Sequence, residues 1–172
     1  MPSLLLQQTQ QFARYNQWAN QRIYAATEKL PPAIYHAERP SFFGSLHATL
    51  NHILVGDSVW FGRFTATATP HIQKLNQILH ADFAPLWAAR QAMDARIVSF
   101  ADALDDDRLA AELDYTNMSG KPFRQPLAPL LAHFFNHQAH HRGQAHQLLS
   151  MCAPDREPPE LDLIYFLREA IS

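Results

Sequence analysis

Residues 127–152 read LAPLLAHFFNHQAHHRGQAHQLLSMC, and this stretch decides the fold. Leu127, Leu130, Leu131, Phe134, Ala145, Leu148, Leu149 and Cys152 gather on one side of a helical wheel, the pattern of a helix that buries a single face. Pro154 stops it. The same stretch holds five of the chain's ten histidines: His133, His137, His140, His141 and His146. At about 100° per residue, His141 lies about 30° from the apolar centre and His137 about 70°, while the other three lie beyond about 100°. His137 and His141 are one helical turn apart, so both imidazoles can reach one ion at about 2.0–2.1 Å.

Working outward, three more stretches keep the helical period. From Ser3, a good N-cap, to about Leu30, the marks are Phe12, Tyr15, Ala19 and Ile23, and Pro31-Pro32 ends the run. After Ser41, Leu46, Leu50, Ile53, Trp60 and Phe64 predict a second helix to about Thr65. Asp82 caps a third, with Pro85 tolerable in its first turn and Leu86, Met93, Ile97, Phe100 and Leu104 on one face. Between residues 112 and 126, Leu113, Tyr115 and Phe123 flank Met118-Ser119-Gly120-Lys121, which predicts a small hairpin or extended excursion. A short C-terminal helix follows Pro158-Pro159, from about Leu161 to Ala170. The expected architecture is an all-α four-helix bundle, one domain over residues 1–172.

Composition narrows the function. At 47% hydrophobic residues the chain can bury a core, which excludes a disordered or fibrous class. Lys and Arg total 14 against 16 Asp and Glu, so no basic excess exists to hold a phosphate backbone, and nucleic acid is not expected as a partner. No apolar run approaches the roughly 20 residues that span a bilayer. A single cysteine, Cys152, permits no internal disulfide and reads as packing, and the cytoplasm is the expected compartment.

A single core histidine is ordinarily a hydrogen-bonded packing residue. Two stacked imidazoles in an apolar stripe are costly unless something satisfies both facing nitrogens, and a cation does so. A third ligand must come from elsewhere, and the second helix offers His47 and His52. Its apolar centre lies about 90° from His47 and about 130° from His52, which favours His47. His52, however, sits beside the small residues Ser45, Thr49 and Gly56, a strip suited to an open cavity. Asp57 falls in the apolar stripe, where its carboxylate needs a partner: an arginine in a buried ion pair, a histidine N–H or the ion.

Three segments carry a resemblance that spans nearly the whole chain. Tyr15-Asn16-Gln17-Trp18-Ala19-Asn20, Leu50-Asn51-His52-Ile53-Leu54 with Asp57 and Trp60, and Phe135-Asn136-His137-Gln138-Ala139-His140-His141-Arg142-Gly143-Gln144-Ala145 resemble the helix signatures of the DinB family. The resemblance implies a four-helix bundle whose divalent ion, zinc or nickel, is held by His52, His137 and His141, and so selects His52 where the wheel selects His47. Three imidazoles leave a coordination position open, as in catalytic sites. By resemblance, the expected function is a metal-dependent, S-transferase-like enzyme that activates a low-molecular-weight thiol toward a small-molecule substrate. Two rivals stand beside it. One is a metal-dependent hydrolase that activates water, with Asp57 or His140 as general base. The other is a non-enzymatic, stress-related metal-binding or interaction module. Gln144 is close enough in angle to reach the pocket, and Arg142 is expected in an ion pair or at a partner. A homodimer is the expected assembly, with the Trp18 flank of the first helix as a candidate surface.

Overall fold

The structure, a computed structural model, describes residues 1–169. In chain order the elements are α1 (Leu4–Thr27), α2 (Pro32–His36), α3 (Leu46–Phe64), α4 (Phe83–Asp102), α5 (Asp106–Ala110), β1 (Glu112–Thr116), β2 (Pro122–Pro126), α6 (Leu127–Cys152) and α7 (Leu163–Glu169). The four long helices form the expected bundle: α1 and α3 each pack on both α4 and α6. Ile23, Leu46, Leu50, Leu86, Ile97, Leu127 and Phe134 fill its middle and are almost wholly buried.

Local chemistry sets the boundaries. The Ser3 hydroxyl accepts from the Leu6 N–H at 3.2 Å, capping α1. α3 starts at Leu46, five residues later than Ser41, because the extended Ser45 caps it by accepting from the Ala48 N–H at 3.0 Å. Before that cap the chain turns through Gly44 at φ +81°, a backbone conformation that favours glycine. The 112–126 segment is an antiparallel hairpin pairing Glu112 with Pro126 and Thr116 with Pro122. In its turn the Asn117 carboxamide oxygen accepts from the N–H groups of Ser119 and Lys121. The short helices α2 and α5 have no counterpart in the periodicity, being too brief to show one. α7 begins two residues after the expected Leu161; the expected end at Ala170 lies outside the described residues.

The Trp18 flank of α1 is not a free surface. α7 covers it: the Trp18 indole N–H donates to Glu169 at 2.7 Å, and Phe166 packs 5.9 Å away, centroid to centroid. Among the described residues, no helix is long and apolar enough to cross a membrane.

The bundle interior carries charge. Arg90 of α4 pairs with Asp57 of α3 and, at 2.9 Å, with Asp94 one turn along its own helix. Asp94 accepts from the side-chain amides of Asn16 (3.2 Å) and Asn20 (3.0 Å) of α1, and the Asn16 oxygen accepts from Arg142 of α6 at 2.6 Å. Every member is at most 3% exposed. Asp57 is therefore the buried ion-pair partner among the three roles its position allowed. Among the described residues Arg142 makes no ion pair; it faces inward, donating to the side-chain oxygens of Asn16 and Asn20 of α1. Burial pushes both carboxyls above the usual range, Asp94 to about 6, while Arg90 pulls them back.

Because removing one partner strands buried charges of the other sign, Arg90→Met should cost about 3–5 kcal/mol in urea unfolding. Arg14→Ala, which breaks a 2.8 Å pair with Asp102 at the half-exposed surface, should cost at most about 1 kcal/mol. Similar midpoints for the two variants would show that the interior pair is dispensable.

Candidate metal centre

His52 of α3 meets His137 and His141 of α6 where the two helices pack. Ring centroids are 4.4 Å apart for His137 and His141, 4.4 Å for His52 and His141, and 5.4 Å for His52 and His137. One ring nitrogen from each lies within 4.8 Å of the others, and this is the one such group found among the described residues.

Hydrogen bonds fix which nitrogens face inward. The Leu75 carbonyl can only accept, so its 2.7 Å contact makes His52 Nδ1 the donor and leaves Nε2 as the lone pair. That Nε2 is buried without a hydrogen-bond partner. His141 Nδ1 donates to the Gln144 oxygen at 2.8 Å, again leaving Nε2 free to ligate, and His137 Nδ1 is buried without a partner. Burial holds all three rings below the ordinary histidine pKa; His137 falls to about 3 because His141 and His52 add to the penalty. Near neutral pH all three are neutral, the form that binds a metal.

Gly56 makes the approach of α6 possible. A Cβ built there would stand 2.6 Å from His137 Cε1, closer than real Cβ contacts allow. The strip of Ser45, Thr49 and Gly56 is thus packed, not an open cavity: Ser45 caps α3, the Thr49 hydroxyl donates to the Ser45 carbonyl at 2.8 Å, and the His137 ring fills the space over Gly56. Phe43 stacks on His52 at 4.0 Å and meets His141 edge-on at 5.5 Å.

His47 stands apart from the cluster. Its Nε2 donates to the His80 carbonyl at 2.9 Å, and its ring packs against His36 and Tyr35. The wheel misleads because 15 of the 19 residues of α3 are buried, so the helix has no single inward face from which an angle can be measured. Gln144 does reach the site, through His141. His140 is exposed beside His141, 4.7 Å ring to ring, and His133 is exposed against Trp60. Asp57, bound to Arg90, is not part of the cluster. Periodicity gave no sign of Phe43 or the Leu75 carbonyl, since both act from loops.

The DinB family profile matches residues 5–165. The chain belongs to the DinB family. Among its relatives is Protein DinB of Bacillus subtilis (strain 168), 27% identical over 158 residues that cover 89% of this chain and 91% of that one. The match takes in all four long helices of this DinB-family bundle and its whole histidine cluster.

Gly56→Ala should weaken binding of added zinc at least tenfold, on the scale that disturbing a ligand's support costs. Alanine favours helix over glycine, so a weaker helix would not account for the loss. Gly143→Ala, with open space around its Cβ, should leave affinity unchanged. Equal zinc affinity in both variants, by competition with a chromophoric chelator, would mean that the ring has another place to go.

Acid should act on the metal-free protein through the same rings. His137 titrates near 3 when folded and near 6.5 when unfolded, so below about 6.5 the unfolded chain binds more protons and stability falls with pH. Urea midpoints of the metal-free protein between pH 7 and 4 should drop less steeply in His137→Leu.

Proposed function

We propose that His52, His137 and His141 hold one divalent ion, zinc or nickel, in an enzyme that transfers a low-molecular-weight thiol to a small-molecule electrophile. The observation that carries this reading is the convergence of three neutral imidazoles, two of which, His52 and His137, each bury a ring nitrogen that has no hydrogen-bond partner. Leaving such nitrogens buried and unsatisfied is costly, and a cation satisfies them together. When bound, the ion supplies Lewis acidity that lowers the pKa of a thiol or water reaching its open position. The chain's own residues orient the ligands: Leu75 and Gln144 hold the Nδ1 sides of His52 and His141, and Phe43 shields the His52 ring. Among the described residues no carboxylate or cysteine joins the group, which leaves room for an exogenous ligand, the arrangement of catalytic sites.

The thiol reading is favoured over hydrolysis by the position of Asp57. A hydrolase benefits from a base beside the activated water, and this carboxylate is committed to Arg90. His140, exposed beside His141, is the one observation that supports the hydrolase as a second reading.

Protein purified without chelator or metal-affinity resin should carry about one divalent ion per chain, as a single three-ligand site requires. His52→Ala, His137→Ala and His141→Ala should each lose it, while His133→Ala and His140→Ala keep it. Full metal content in any of the first three would overturn the site. After cobalt substitution, glutathione or another cellular thiol should produce a sulfur-to-metal charge-transfer band. The same thiol should react with an electrophile faster than with His141→Ala protein. A cobalt spectrum unmoved by thiols, with ester hydrolysis dependent on His140, would establish the hydrolase instead; no response to either would leave a non-enzymatic metal module.

A further inference from the structure

The ligand role of His52 depends on a loop. Its ring presents Nε2 because Nδ1 is held by the Leu75 carbonyl, and Leu75 lies in the connection between α3 and α4, in no helix or strand. The Leu75 side chain is half exposed and anchors little. Around it the Gln77 side chain accepts from the Gln73 N–H and donates to the His71 carbonyl, both at 2.9 Å, and Ile72 packs against Val55 and Val59 of α3. The hydrogen-bonded tie of this loop to α3 lies a few residues further on. Asn51, wholly buried, accepts from the backbone N–H groups of Leu79 (2.9 Å) and His80 (3.0 Å) through its side-chain oxygen. Its amide donates to the His80 carbonyl at 3.2 Å and to the His47 carbonyl of its own helix at 3.1 Å. His47 adds a bond to the same His80 carbonyl at 2.9 Å. Both hydrogen-bonding ends of the Asn51 carboxamide therefore reach residues 79–80, while its amide also bonds its own helix.

We infer that Asn51 and His47 are positioning residues for the metal centre: they clamp residues 79–80 so that the Leu75 carbonyl holds His52 in the tautomer that ligates. Asn51 and His52 are neighbours on α3, so one turn of helix supplies the ligand and also ties down the loop that orients it. This gives the two histidines of α3 separate tasks, one at the ion and one at the loop. The inference rests on the reading that His52 carries the ion, but its core, the tautomer, is measurable without metal.

The test uses the full chain with three changes: Asn51→Ala, His47→Leu beside His47→Gln, and two glycines inserted between Gln77 and Ile78. The insertion leaves the clamp and the ligand untouched and only slackens the chain between them. Long-range proton–nitrogen NMR on metal-free protein should show His52 protonated at Nδ1 alone in the wild type, with Nε2 protonation appearing in Asn51→Ala and the insertion variant. Zinc Kd, by chelator competition, should rise about 10–100-fold in both, the usual scale for losing a group that orients a ligand. His47→Gln, which keeps an N–H, should stay closer to wild type than His47→Leu. An unchanged tautomer and an unchanged Kd in either folded variant would overturn the clamp, and the insertion variant decides alone if Asn51→Ala does not fold. Absence of zinc binding by the wild type would overturn the metal reading, while the tautomer comparison would still decide the clamp.

Discussion

Burying a guanidinium in a helical bundle is tolerable only when carboxylates replace the water it gives up, and Arg90 carries that condition through to all four long helices. It takes Asp57 from α3 and Asp94 from α4; Asp94 takes Asn16 and Asn20 from α1, and these take Arg142 from α6. A purely apolar seam can slide or rotate with modest loss, because dispersion and burial are not directional. Hydrogen bonds to a planar fork are directional, so rotating any one helix breaks a link of the chain.

The alignment these links hold is what aims the histidines. Arg142 directly follows His141 and Gln138 directly follows His137, so with the former pair turned into the core the latter pair lies about 100° round the helix, toward α3. Asp57 does the same for α3, on the helix that bears His52 and Gly56. The charge balance is internal as well. Arg142 adds a second guanidinium near Asp57, Arg90 and Asp94, linked to them across the two asparagines. The polar interior thus serves as the alignment frame for the cluster.

Much of this was legible in the sequence, unevenly and for identifiable reasons. The four long helices follow from apolar period and proline punctuation, and the hairpin from alternation around Gly120. His137 and His141 follow from four-residue spacing on a helix with a clear polar side. His52 does not: α3 is buried nearly all round, and family resemblance selected the histidine that joins the cluster where the wheel selected His47, which stands apart from it. Arg142 and Asn16 were misjudged or passed over because periodicity sorts residues as apolar or polar and cannot foresee polar groups that satisfy one another in the core. The covering of Trp18 by α7 and the approach of Leu75 to His52 are tertiary events between distant segments, with no local trace.

The Leu75 contact has a consequence for how the chain can vary. Its functional atom is a main-chain oxygen, which every amino acid presents alike, so substitution at residue 75 leaves the contact chemically intact. The inherited information lies instead in spacing: the carbonyl opposite the ring is set by its distance along the chain from residues 79–80, which Asn51 holds. A point mutation at that residue is nearly silent there, while a single inserted or deleted codon between residues 75 and 79 puts the wrong peptide group opposite the ring.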